Sequence, residues 1–426
     1  MKLQVFNGGL STRLAPHLLD GKFSRVFTNV NYRKGFLQPI AGKTIVSTPG
    51  ANKPWAYYFE AENVWISKTN PTSFVEYNRT LYMADGIQPK KYRNGIEQNL
   101  GIAPPVDQPN VVPVNGPKKI ARCDLEPKHG FGDFPKGVTV SYVFVNRDSV
   151  TGLKSKSDIY SVELEGDEDA VDLINVGASF ATSTDAYRFY LGVWRKVGTF
   201  TVSTATVLDN NYDISEGAEI DEFFGVTGTI QYGIVFYNNI DGSKSIPLIT
   251  PEVTVDSGKI TLNNIPQPND SQVNKIILYR IGGNLTAFTE VVELDVGTTV
   301  YNDTLSDTEL PGDLLESATW NQAPANLKYI VESFAVLFGA DDDKLRFTPI
   351  GIPNAWPELN YLQFPTTITG ISVIANGLLV HMATQTYIVE GQTPGSFAQR
   401  WNSEQGCNNH FSIVKQNGAS VWASDD

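Results

Sequence analysis

Cysteine is scarce in this chain. There are two in 426 residues, Cys123 and Cys407, far apart in sequence. Two thiols so placed make no disulfide scaffold and fit free thiols in a reducing compartment. Long apolar runs are missing, so no segment reads as a bilayer-spanning helix. Basic charge is also short: 33 Lys and Arg stand against 46 Asp and Glu, a net charge of −13. Gripping nucleic acid needs clustered Lys and Arg, and so does adhesion to an anionic membrane. The balance argues against both. Sustained helical periodicity is absent, and the best helix candidate is the short stretch 311–315. Near the start, Lys2 is followed by Gly8-Gly9 and polar residues rather than an apolar run. No signal peptide is read there, and assembly in a cytoplasm is expected.

What is present points to β structure. Apolar residues make up 41% and charged residues 19%, a globular balance, with 24 prolines and 36 glycines among many Thr, Val, Tyr and Phe. The stretch 329–426 reads as consecutive hairpins. Asn376-Gly377 and Asn417-Gly418 each separate two apolar runs. Asn-Gly tolerates positive φ at both central positions of a type I′ turn, so hairpins are expected at both. The segment 73–85 aligns without gaps on 329–341, placing Val75 on Val331, Glu76 on Glu332, Leu81 on Leu337, Ala84 on Ala340 and Asp85 on Asp341. Four short strands in roughly 40–45 residues make one β-propeller blade. The expected fold is therefore all-β: a partial propeller at 1–95 and 319–426, interrupted by other material.

The interruption begins at 96–118, where Pro104, Pro105, Pro109, Pro113 and Pro117 predict a stiff, unpaired linker. A second repeat follows. Val138, Val140, Tyr142 and Phe144 alternate, as do strands around Ile230 to Tyr237. Tyr190 to Tyr212 and Tyr279 to Tyr301 are equally spaced. The size and pattern fit two seven-stranded sandwiches in tandem, at 119–222 and 223–318, similar to fibronectin type III modules.

No catalytic, cofactor or metal residue emerges. His17, His129, His381 and His410 share no ligand spacing, and Cys407 with His410 lacks a second pair to complete a zinc site. His381 reads as a half-buried strand residue. Asp341-Asp342-Asp343 lacks the spacing of a calcium loop and reads as a solvated turn. The acidic runs 163–172 and 307–316 read as solvated loops. Nucleophile-elbow, phosphate-loop and dinucleotide fingerprints are all missing. Trp194, Trp320, Trp356 and Trp401 could stack on sugars, but core filling is the simpler role. The expectation is a structural protein, not an enzyme.

Some segments resemble a known family. Phe6-Asn-Gly-Gly-Leu-Ser-Thr-Arg-Leu-Ala-Pro16, then Thr28-Asn-Val-Asn31 and Gly35-Phe-Leu-Gln-Pro39, resemble the amino end of virion stabilisation and tail-nozzle proteins (tail tubular protein B-like) of short-tailed bacteriophages. Leu345-Arg-Phe-Thr-Pro-Ile-Gly-Ile-Pro-Asn-Ala-Trp-Pro357, Gly377-Leu-Leu-Val380 and Thr386-Tyr-Ile-Val-Glu-Gly391 resemble their blade strands. The resemblance spans 1–95 and 320–426. It implies a virion tail protein in a homo-oligomeric ring, usually of six copies, below portal and adaptor proteins. It also implies a conduit for exiting DNA without specific binding, and a platform for tail fibres. The end at Asp426, before a ring of blades closes, departs from that pattern and predicts further chain or a second chain. The rival expectations are a host-glycan-binding adhesin module and a propeller glycoside hydrolase.

Overall fold

The computed structural model describes residues 30–33, 36–39, 55–117, 123–148, 150–175, 183–201, 206–220, 225–416 and 419–422. The protein is all-β, and no α-helix occurs among the described residues. The helix candidate at 311–315 is extended instead. Gly312 takes φ +89 and Leu314 bridges Thr289, an arrangement no helix can accommodate. His17, the segment Phe6 to Pro16 and the Asn417-Gly418 turn lie outside the described residues.

Three four-stranded antiparallel meanders carry the repeat. The first runs Ser73–Tyr77, Thr80–Ala84, Lys90–Arg93 and Ile96–Asn99. The second runs Lys328–Ser333, Val336–Asp341, Lys344–Phe347 and Tyr361–Gln363. The third runs Gly370–Ile374, Gly377–His381, Thr386–Glu390 and Ala398–Ser403. Asn78 and Arg79 turn the first hairpin with φ 49 and 57; Phe334 and Ala335 turn its counterpart with φ 55 and 58. Both are type I′ geometry, and they occupy equivalent places in the gapless alignment. One difference intrudes at Tyr329, whose φ of 56 marks a bulge between the pairs Lys328 with Ala340 and Val331 with Phe338.

The Asn376-Gly377 expectation needs correction. Ile374 pairs with Gly377, so Ala375 and Asn376 form the turn and Gly377 begins the next strand. Gly377 has φ 153, and a Cβ there would lie 2.0 Å from the Val389 carbonyl oxygen. The glycine serves close strand approach rather than turn formation. An Asn-Gly turn of the expected kind occurs instead at Asn94-Gly95, φ 52 and 77, between paired Arg93 and Ile96.

The meanders stack face to face. Thr80–Ala84 is buried along its whole length because a layer covers each side. Leu81 and Met83 pack with Phe59, Ile66 and Tyr92, in part from the hairpin Trp55–Phe59 with Val64–Lys68. Tyr82 and Ala84 face Ile330, Leu337 and Trp356 of the second meander. Val336, Phe338 and Ala340 then meet Ile371, Leu378 and Val380 of the third. Each fully buried aliphatic chain contributes up to about 3 kcal/mol.

The inserted region forms two similar β units, but they are nested, not tandem; the first has two separate sheets, and in the second Val253–Asn263 joins all the strands into one eight-stranded sheet. In the first, Cys123–His129, Glu168–Asn175 and Thr206–Asp209 form one sheet, and Thr139–Arg147, Ser183–Tyr190 and Val193–Phe200 anchor the other. Between them lies a core that includes Tyr142, Phe144, Leu173 and Phe200. In the second unit, Val226–Asn238, Lys275–Gly282 and Leu285–Asp295 pair in the same manner. The strand that should open this unit comes from the supposed linker. Asn110–Val114 pairs antiparallel with Val253–Asn263, so 96–118 is not unpaired. The first unit is thus inserted between the first and second strands of the second. Pro113 is tolerated because Asn110–Val114 pairs on one side only, as Pro127 is in Cys123–His129.

Candidate functional site: the inner seam and the buried clamps

The first strands of the three meanders, Ser73–Tyr77, Lys328–Ser333 and Gly370–Ile374, run along one seam, with Lys328–Ser333 in the middle. Ser73 Oγ accepts from the Ile330 N–H at 2.9 Å and donates to the Ala84 carbonyl at 3.1 Å. The Gly86 N–H donates to Leu327 at 3.0 Å. Aromatic rings fill the junction. Tyr329 stacks on His410 at 4.6 Å, and Trp55 lies 4.3 Å from Phe411. A cavity of about 220 Å³ beside them is lined by Pro71, Ala84, Asp85, Lys328, Tyr329 and Phe411. Asp85 is occupied there by the N–H groups of Ile87 and Gln88.

Two of the four histidines come to this region. His381 is fully buried and lies 3.0 Å from the Thr386 hydroxyl through Nδ1 and 3.4 Å from that of Ser372 through Nε2. Burial pushes it down to about 4. His410 accepts from the Ile371 N–H at 3.3 Å; burial, then nearby His381, push it down to about 4 as well. Both are neutral packing groups at pH 7. His381 was expected to be half-buried; it is more enclosed because Trp422 also covers it, at 4.5 Å. His129 ends an edge strand and is exposed. Cys407 is buried, and its thiol donates to the Asn409 carbonyl at 3.3 Å. Among the described residues no three His, Cys, Asp or Glu side chains gather to hold a metal.

Two buried clamps were not foreseen. In the first unit, Tyr142 Oη donates to Asp209 Oδ2 at 2.7 Å and Arg188 Nη1 to the same oxygen at 2.9 Å. In the second, Tyr232 Oη and Arg280 Nη1 both donate to Asp303 Oδ2 at 2.6 Å. Each joins the sheet bearing Tyr and Arg to the strand bearing Asp. Burial pushes the Asp209 carboxyl up, against the pull of Arg188. The clamps also correct the tyrosine spacing. Tyr142 pairs with Arg188 and Tyr232 with Arg280, so Tyr187 matches Tyr279, and Tyr190 does not. The available signal was an arginine within a buried apolar run, Ile276-Ile-Leu-Tyr-Arg-Ile281, which demands a partner.

The acidic runs are only partly solvated. Asp169 accepts from the N–H groups of Gly130, Phe131 and Gly132 at 2.9 to 3.1 Å, and these bonds, Phe131 foremost, hold its carboxyl below the usual range. Asp307 holds Arg280 at 2.9 Å. Asp342 and Asp343 form a hairpin turn, with Asp341 bound by Arg346. Trp320 and Trp356 are core residues, Trp194 is half-buried against Phe189, and Trp401 is 52% exposed. No family model and no curated protein sequence matches this chain.

Proposed function

We propose that the chain is a structural subunit of a short-tailed bacteriophage tail, assembling as a ring that forms a DNA-exit conduit and a platform for fibres. The observation that carries this reading is the seam. Four-stranded antiparallel meanders stacked face to face, with their first strands side by side, have the arrangement of successive propeller blades. The nozzle-like segments Leu345 to Pro357, Gly377 to Val380 and Thr386 to Gly391 fall on or between strands of the second and third meanders. The antiparallel pairing of the inserted units supports a comparison with fibronectin type III-like modules, although each unit has eight strands where seven were expected. The role is assembly, with portal and adaptor proteins and fibres as partners and about six copies in the ring.

Charge refines the conduit. Residues 123–318 hold 30 Asp and Glu against 12 Lys and Arg, so the acid excess belongs to the inserted units and not to the meanders. Repulsion of phosphate by the lumen then depends on those units facing it. The glycan-binding reading keeps Trp401 as its exposed ring among the four tryptophans considered. Cryo-electron microscopy of the purified full chain, alone and with portal and adaptor proteins, tests the proposal. A closed ring of meanders docked to the adaptor is expected; a protein that stays monomeric with both overturns it.

A further inference from the structure

Lys91 lies in the third strand of the first meander and is 1% exposed. Its Nζ sits 2.5 Å from Asp241 Oδ2 and 3.2 Å from Ser243 Oγ, both beyond the end of Val226–Asn238 in the second unit. Asp241 is itself held, its Oδ1 accepting from the Ser243 N–H at 3.0 Å and the Ser243 hydroxyl at 2.6 Å. A second tie lies where the chain leaves the meander. Gln272, 3% exposed, donates through Nε2 to the Gly101 carbonyl at 3.1 Å. Gly101 has φ +86, and a Cβ there would lie 2.9 Å from both the Asn354 carbonyl oxygen and Gln322 Cα. Outgoing and returning chains are pressed together at this point, the Ala323 N–H donating to the Leu100 carbonyl at 3.1 Å. Leu100 belongs to the core between meanders, and Ile102 to the core of the second unit.

A swinging tether exposes its backbone and is crossed by few contacts. This junction has the opposite character. A lysine withdrawn from water is costly unless its counter-charge stays in place, so Lys91 and Asp241 resist separation. We infer that the second inserted unit is a fixed arm, locked to the first meander by Lys91–Asp241 and Gln272–Gly101. Whatever surface the arm presents is held at one angle to the meanders. In an oligomer every copy would carry its arm in the same orientation. The inference does not require the tail assignment.

Spin labels on T286C in the second unit and N402C in the third meander report that angle in the full chain. Both positions are exposed, and both native thiols are buried. The parent should give a single narrow distance distribution by pulsed electron spin resonance. Asp241→Asn should at least double its width by stranding the Lys91 charge. A broad parent distribution, or an Asp241→Asn distribution as narrow as the parent's, overturns the inference. Gln272→Ala removes no charge and decides the matter should Asp241→Asn fail to fold: broadening supports the lock, and an unchanged width overturns it.

Discussion

Replacing Asp209 or Asp303 by Asn tests the clamps against each other. Both carboxylates are buried, and both neutralise a buried arginine. Removing one partner of such a pair costs about 3–5 kcal/mol, because the remaining charge is left uncompensated. The two sites should differ within that range. Arg280 keeps Asp307 at 2.9 Å and the Leu305 carbonyl at 2.9 Å, so Asp303→Asn belongs near the low end, about 3 kcal/mol. Arg188 keeps the carbonyls of Asn211 and Tyr212 at 3.0 and 2.6 Å and the face of Phe134 at 4.4 Å, which supply no full negative charge. Asp209→Asn belongs near the high end, about 5 kcal/mol. Urea unfolding of the full chain gives the totals, and hydrogen exchange in Thr139–Arg147 and Val226–Asn238 assigns each loss to its unit. The combined change Tyr142→Phe, Arg188→Met and Asp209→Leu should destabilise less than Asp209→Asn alone, because Arg188 has Asp209 as its charged partner and the triple change leaves neither charge behind. Losses under about 1 kcal/mol at both sites, or the reverse order, would refute the reasoning.

Acid should weaken the third meander. His381 is held near 4 in the fold, against an ordinary value near 6.5, so the unfolded chain binds its proton first as pH falls. Stability is complete above about pH 6.5 and declines toward pH 4, by up to about 3 kcal/mol from this residue. His381→Asn should make the Tm profile shallower between those pH values, with the contribution of His410 remaining; a profile parallel to the parent's would count against the burial argument. At the second meander's first turn, Ala335 carries φ 58, a left-handed conformation that costs a non-glycine residue about 1–2 kcal/mol. Ala335→Gly should therefore raise stability by roughly 0.5–1 kcal/mol after the glycine's greater unfolded-state freedom is counted, and a lower urea midpoint would contradict this. Gly377→Ala should have the opposite sign, since its Cβ would lie 2.0 Å from the Val389 oxygen, and a thermal melt of the variant unchanged from the parent would show that the strands can part there.

The all-β class and the repeat were legible because they are local. Alternating burial in Lys344–Phe347 and the shared turn at Asn78-Arg79 and Phe334-Ala335 lie within one hairpin's length. The nesting was not legible. Asn110–Val114 finds its partner in Val253–Asn263, far along the chain, and five prolines nearby obscured a strand that tolerates Pro113 only because it is an edge. The turn at Asn376-Gly377 was misplaced because glycine can serve close approach as well as positive φ. Lys91 was hidden for a different reason. In Lys90-Lys91-Tyr92 nothing marks which lysine turns inward, and its partner Asp241 belongs to another unit. Arg188 and Arg280 were visible as charges in apolar strands, but their aspartates lie on strands that do not pair with theirs.

The central proposal is that this chain is a structural part of a phage particle. Peptide mass spectrometry of density-banded phage particles from the source culture tests it most directly. The account predicts peptides of this chain in the band, at a few copies per particle and alongside a portal protein. Particles that lack them, with the chain confined to the soluble fraction, would contradict it.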